Sequence, residues 1–193
     1  TDLTVSVTEQ STGSLSLGAG YSTTNSFIGE FAYTEQNLFG RGQFVRASVA
    51  VSQITRQYEF SFTEPYFLDR PLTAGFDLSK SLTDFNEANY EGDVTLAGIR
   101  FGFPISEYSS INLRYIYKIE TVYPFSGAAV AILESQGTAT SSAFGFTYGY
   151  NDLDDQLRPT TVGAFSFSQD FAGLGGSLRY LKTQSEFATY HSA

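Results

Sequence analysis

The chain has 193 residues, 41% of them hydrophobic, and its 18 Phe and 13 Tyr need an extensive apolar surface to cover. A net charge of -9 disfavours nucleic acid as a partner, because a nucleic-acid face must be basic to displace counterions. The absence of cysteine excludes a disulfide framework, thiol catalysis and cysteine-held metals, and no run of 18 apolar residues offers a transmembrane helix. A transmembrane β-strand needs only about 9 to 11 residues with every second one apolar, a signal that averaged hydropathy conceals.

Residues 2–10 alternate, with Leu3, Val5 and Val7 opposite Thr4, Ser6 and Thr8, and read as a strand of something preceding the main sheet. Residues 14–21 place Leu15, Leu17, Ala19 and Tyr21 on one face and Ser14, Ser16, Gly18 and Gly20 on the other. That polar face is small enough for another backbone to lie close. Residues 26–35 and 44–52 alternate in the same way, and Arg46 on the polar side must look into water. Between them, Asn37-Leu38-Phe39-Gly40-Arg41-Gly42-Gln43 reads as a tight reversal. Gly40 and Gly42 accept the positive φ it demands, and Asn37 can bond its own backbone. Tyr58, Phe60 and Phe62 continue the rule. Glu64-Pro65-Tyr66-Phe67-Leu68-Asp69-Arg70-Pro71 then turns the chain, its prolines placed where no ladder donor is needed.

Leu72, Ala74, Phe76 and Leu78 mark the next strand, followed by an expected longer polar loop over residues 83–92. In residues 93–103, Val94 and Leu96 set one phase while Ile99, Phe101 and Phe103 set the other, which predicts a bulge near Ala97 and Gly98. A turn at 104–108 leads into the clean alternation of 110–120. Residues 123–138 form the longest connection, and their apolar patch at 127–133 reads as a surface loop or a short helix. Phe144, Phe146, Tyr148 and Tyr150 share a face, residues 151–161 turn, and 162–171 form a strand. The glycines of 172–176 close a hairpin into 177–190.

Ten strands of about 9 to 13 residues are longer than the usual strands of soluble sheets and suit a tilted bilayer crossing. Turns at 36–43, 65–71, 104–109 and 151–161 fall at one end, and two of the opposite loops run longer. Short periplasmic turns with longer external loops are the pattern of outer-membrane barrels. Tyr33, Phe39, Tyr66, Phe67, Phe103, Tyr108 and Tyr150 lie beside the short turns, where a membrane interface favours amphipathic rings. The expected fold class is all-β, an antiparallel up-and-down transmembrane β-barrel. A soluble barrel or sandwich alternates too, but packs its aromatic rows together in a dry interior.

The catalytic inventory is poor. His191 stands at the end with nothing to make it a ligand or base; Asp152, Asp154 and Asp155 lack the glycine and distal Glu of a calcium loop; Gly173, Gly175 and Gly176 are hairpin glycines rather than a dinucleotide fingerprint. No catalytic residue, metal ligand or cofactor is assigned, and an enzyme is not expected. Arg46, Glu59, Asp77, Arg114 and Lys118 are expected to pair inside a wet lumen.

Several segments resemble the opening of the barrel of the BamA family of outer-membrane β-barrel assembly factors, the bacterial surface antigen family. They are Val7-Thr8-Glu9-Gln10-Ser11-Thr12-Gly13, Gly18-Ala19-Gly20-Tyr21-Ser22, Asn37-Leu38-Phe39-Gly40-Arg41-Gly42 and Phe62-Thr63-Glu64-Pro65-Tyr66-Phe67, in family order and spacing. Gly102-Phe103-Pro104-Ile105-Ser106-Glu107-Tyr108 and Ser168-Gln169-Asp170-Phe171-Ala172-Gly173-Leu174-Gly175-Gly176 are similar to later segments. By this resemblance, residues 1–10 end a periplasmic POTRA domain, and 11–193 form about the first ten strands of a larger barrel in the outer membrane of a Gram-negative bacterium. With no initiator Met or signal peptide, an internal fragment or trimmed product is expected.

The resemblance implies assembly and insertion of outer-membrane proteins, with residues Ser14, Leu15, Ser16, Leu17, Gly18, Ala19, Gly20 and Tyr21 as an edge on which a client strand pairs at a lateral seam. Asn37, Gly40, Gly42, Glu64, Pro65 and Tyr66 would mark periplasmic turns. The implied partners are the lipid bilayer, unfolded β-barrel clients, periplasmic chaperones and accessory assembly lipoproteins. Rival readings are a passive pore or secretion-partner transporter of related barrel type, and a soluble ligand-binding β-barrel.

Overall fold

The computed structural model describes residues 12–22, 26–152 and 161–191. They form one antiparallel sheet in which each strand pairs with its neighbours in sequence. The strands are β1 (Gly13–Ser22), β2 (Ser26–Leu38), β3 (Gln43–Ser52), β4 (Thr55–Glu64), β5 (Thr73–Phe85), β6 (Tyr90–Pro104), β7 (Ser109–Pro124), β8 (Gly137–Asn151), β9 (Thr161–Gly176) and β10 (Tyr180–His191). A short helix, α1 (Val130–Glu134), interrupts the connection between β7 and β8. Among the described residues no helix is long and apolar enough to cross a membrane. The expected strand over residues 1–10 and most of the turn at 151–161 lie outside the described residues.

Register assigns the two faces. Leu17, Phe31, Val49 and Tyr58 stand in one cross-strand row from β1 to β4, and the next row holds Leu15, Tyr33, Ala47 and Phe60. The opposite face carries Ser16, Ala32, Ser48 and Glu59 in matching rows. Among the described residues the buried apolar side chains are four alanines, Ala32, Ala74, Ala143 and Ala172, whereas Leu17 is 86% and Phe27 73% exposed. The aromatic rows do not pack into a dry core, so the soluble barrel and sandwich readings fall. A face this apolar needs an apolar solvent.

The apolar band slides along the strands as it crosses the sheet. The row containing Phe31 of β2 runs through Val49, Tyr58, Lys80, Thr95 and Ile119 to Thr140 of β8. The apolar middle of β9, at Phe167, sits opposite Tyr148, far along β8 from Thr140. A drift of about one residue per strand, at about 3.3 Å rise and about 4.8 Å spacing, corresponds to a strand tilt of about 35°, within the range of membrane barrels.

Four expectations are corrected. There is no bulge at Ala97 and Gly98: β6 pairs without interruption with β5 and with β7, so Val94 and Leu96 point to the polar face beside Ile116. The change of phase there is a local apolar patch on the polar side. Register shifts occur elsewhere: β9 carries extra residues between Ala172 and Gly176, opposite Ala143 and Ser141 of β8, where the backbone of Ser177 folds back to bond Thr140, and β2 carries one between Glu35 and Leu38. Accordingly β10 starts at Tyr180, not at 177. Residues 83–92 are not a long loop. Phe85 and Tyr90 stack at 4.5 Å, and Asn89 takes a left-handed φ of 57°, closing a reversal over residues 86–89. The loops opposite the short turns are therefore short too, except the one over residues 125–136 that contains α1.

Placing an arginine at Val49, in the middle of the apolar face, is expected to cost about 2–4 kcal/mol in a bilayer. The same change at Ser81, in the polar-face row of Gln57 and Val94, should cost far less. Urea titration of protein refolded into lipid vesicles checks the difference.

Candidate functional site

Three features stand out: an open edge, a pair of linked turns, and an arginine row on the polar face. The edge is β1. It pairs with β2 over all ten residues, from Gly13 with Glu35 to Ser22 with Ser26, and with no other described strand. In an antiparallel strand alternate residues direct their N–H and C=O to opposite neighbours, so half of the backbone groups of β1 face outward from the sheet edge. Ser14, Ser16, Gly18 and Gly20 leave its polar side low, and an added Cβ at Gly20 would meet nothing within 4 Å. Leu15, Leu17 and Tyr21 stay exposed on the other side, Tyr21 packing edge-on against Phe27 at 5.3 Å. Ala19 stands between them, opposite Gly29.

The turns at the other end of β2 and β4 form one platform. Phe39, Gly40 and Gly42 have φ of 56°, 72° and 68°. Asn37 Oδ1 accepts the Gly42 N–H at 2.6 Å, five residues on rather than its own backbone, and its carbonyl accepts the Gly40 N–H at 3.0 Å. Glu35 accepts the Asn37 N–H at 3.0 Å and also the Thr12 hydroxyl, tying the start of β1 to this turn. Glu64 accepts Gln43 Nε2 at 2.6 Å and the Tyr66 N–H at 3.1 Å, linking the exit of the first turn to the second. Pro65 lies beside Gly42, 3.8 Å from where a Cβ would sit.

The arginine row was only half visible in sequence. Arg100 of β6 and Arg114 of β7 are direct cross-strand partners. Like charges placed so would repel, but the two side chains turn in opposite directions. Arg100 lies over its other partner, Gly75, where a Cβ would come within 3.0 Å of its guanidinium. It pairs with Asp77 and donates to Thr63 Oγ1 at 2.5 Å and to Ser61 Oγ at 3.3 Å. Arg114 lies in the same way over Gly145, donates to Asp170 Oδ1 at 2.8 Å, Thr147 Oγ1 at 2.6 Å and Ser168 Oγ at 2.8 Å. Of the residues expected to pair in the lumen, Asp77 and Arg114 join this row. Arg46 pairs with Glu30 at 3.6 Å, Lys118 with Glu120 at 2.8 Å, and Glu59 accepts from Ser48 at 3.3 Å. The expected set therefore makes no cluster among its own members. Arg100, Gly75 and Gly145 were missed; the available signal was a glycine facing an arginine across a polar face.

A family model described as the Omp85 superfamily domain matches residues 37–193. The chain belongs to the Omp85 superfamily. It is 32% identical over 98% of its length to the outer membrane protein assembly factor BamA of Nitratidesulfovibrio vulgaris, and 29% identical over 93% to BamA of Neisseria meningitidis serogroup B. It spans about a quarter of each of these relatives, 24% and 25%. The crystal structure of BamA from Haemophilus ducreyi lacking POTRA domains 1–3 superposes with a TM-score of 0.71 at 20% identity, over 93% of this chain and 37% of that one. The ten strands are thus part of a BamA-like barrel, and the chain is an outer-membrane protein of a Gram-negative bacterium. Lipid meets the apolar face, and the polar face lines the lumen.

Arg114→Leu, which strips the donors from the half-buried Asp170, is expected to cost about 1–3 kcal/mol. Arg46→Leu, at an exposed pair, should cost less than about 1 kcal/mol. A double-mutant cycle of Arg114→Leu with Gly145→Val in refolded protein should show strong non-additivity, because both changes remove the same contact.

Proposed function

We propose that this chain supplies the opening strands of an outer-membrane assembly barrel, and that β1 is the edge on which an incoming client strand pairs. The observation that carries the reading is the one-sided pairing of β1 over all ten of its residues joined to its row of small polar-face residues, a row that β10, the other described edge, replaces with Lys182, Gln184 and Glu186. In lipid, an unpaired backbone N–H or C=O costs several kcal/mol, so a strand arriving unpaired gains most from an edge that offers matching groups. The low polar face of Ser14, Ser16, Gly18 and Gly20 permits close approach, and Leu15, Leu17 and Tyr21 keep the lipid side apolar while pairing occurs. The acceleration is a matter of keeping hydrogen bonds satisfied along the way; no covalent bond changes.

In this reading the platform formed by Asn37, Gly40, Gly42, Glu64, Pro65 and Tyr66 faces the periplasm, from which chaperones deliver unfolded barrel clients and where accessory lipoproteins dock. The assembly role printed in the names of the BamA relatives supports the reading, as does the match of the family model over most of the chain.

A photo-crosslinker placed at Leu17 in the full-length protein is expected to capture a client strand, whereas one at Leu78, in mid-sheet, should capture none. Gly18→Pro should depress client assembly while leaving the barrel folded. Assembly at the normal rate with β1 so altered, together with ion conductance through the barrel, would favour the passive pore instead.

A further inference from the structure

We infer that β1 selects client strands that carry an arginine or lysine on the lumen side, directly opposite Gly18, whose cationic head crosses Gly18 to meet Glu30. This selection rests on β1 being the edge where clients pair, and it adds the chemical class of strand that pairs there.

The sheet shows twice how it seats an inward arginine. Arg114 of β7 stands opposite Gly145 of β8, and Gly145 stands opposite Asp170 of β9. The guanidinium crosses the bare α-carbon of the glycine and meets the carboxylate on the strand beyond, with Nε 2.8 Å and Nη2 2.6 Å from Asp170 Oδ1. A Cβ at Gly145 would strike both groups, so glycine is what keeps the crossing open. Arg100 of β6 repeats the arrangement. It crosses Gly75 of β5 to Thr63 Oγ1 of β4, the residue opposite that glycine, and pairs with Asp77 alongside. In both cases the order across three neighbouring strands is arginine, glycine, polar acceptor.

β1 and β2 supply the last two positions of a third such row. Gly18 stands directly opposite Glu30 on the lumen face. The space above Gly18 is open: the nearest described atom to an added Cβ is the Glu30 Cβ, at 3.8 Å. The Glu30 side chain is half exposed and meets Arg46 at 3.6 Å, a contact loose enough to admit a second donor. The first position of the row lies outside the sheet edge, on the strand that pairs with β1. Strands lie about 4.8 Å apart, so a side chain there must span two strand spacings, as Arg114 does to reach Asp170. Glutamate is one methylene longer than aspartate, which brings the shorter lysine within reach as well. A client carboxylate at the same place would face Glu30 as a like charge and be disfavoured. Gly13 also faces an acid, but Glu35 already lies over it, 2.9 Å from where a Cβ would sit, and accepts from Thr12 and the Asn37 N–H. That crossing is taken.

The test uses the full-length protein that carries this chain, in detergent micelles, with a photo-crosslinker at Leu17. Two synthetic ten-residue peptides of alternating pattern compete for it, differing only in one central polar-side residue, arginine in the first and glutamate in the second. The arginine peptide should be captured about fivefold more often, the scale of one half-exposed ion pair, with the crosslink mapping next to its arginine. Glu30→Gln should equalise the two peptides, and Gly18→Val should do the same by blocking the crossing while capture persists. Equal capture of the two peptides by the unaltered protein overturns the selection and leaves β1 standing as a pairing edge. A preference that survives Glu30→Gln overturns the selection too. Capture of neither peptide at Leu17 overturns the pairing itself, and the selection with it.

Discussion

Inside hydrocarbon a peptide group has no water to bond, and that constraint shapes everything else in this chain. An antiparallel sheet satisfies it strand by strand, leaving open groups at its edges alone. Because side chains alternate across the pleat, the same backbone that solves the bonding problem divides each strand into a lipid face and a lumen face. The Phe and Tyr rows and the Ser, Gly and charged rows are two consequences of one geometry. The drift of the apolar band fits the picture, since strands that slant across a bilayer must present their greasy stretch at a different height on each neighbour.

The architecture was legible because period-two alternation is a local signal. Phe144 to Tyr150, or Ile111 to Ile119, announce a strand and its faces without knowledge of any neighbour, and Asn37, Gly40 and Gly42 announce their reversal through backbone needs that only a few residue types meet. What could not be read was anything set by a partner strand. Val94 and Leu96 broke the pattern and suggested a bulge, yet their ladders run straight, because an inward-facing surface tolerates a patch of aliphatic side chains beside Ile116. The larger irregularity, in β9 opposite Ser141 and Ala143, arises where Ser177 returns onto Thr140, a contact made by residues 37 positions apart and invisible to a local pattern.

The site was legible in its parts and not in its wiring. Small residues along β1 could be seen, and so could charged residues on the polar side. The pairing of Arg114 with Asp170, 56 positions away, could not. The turn sequences are explicit because each must reverse the chain so that a strand pairs with its neighbour in sequence.

The back-to-back arginines answer a problem that alternation leaves unsolved. A slip of one residue between strands would throw oily groups into water and is forbidden at once, but a slip of two preserves inside and outside and goes unpunished by the greasy pattern. Arg100 lies over Gly75 towards β4 and β5, and Arg114 over Gly145 towards β8 and β9; a slip of two would put Thr73 or Asp77 under the first guanidinium, or Ala143 or Thr147 under the second, where only a glycine leaves room. The row therefore works as a proofreading mark across six strands, accepting one alignment and rejecting its nearest look-alike.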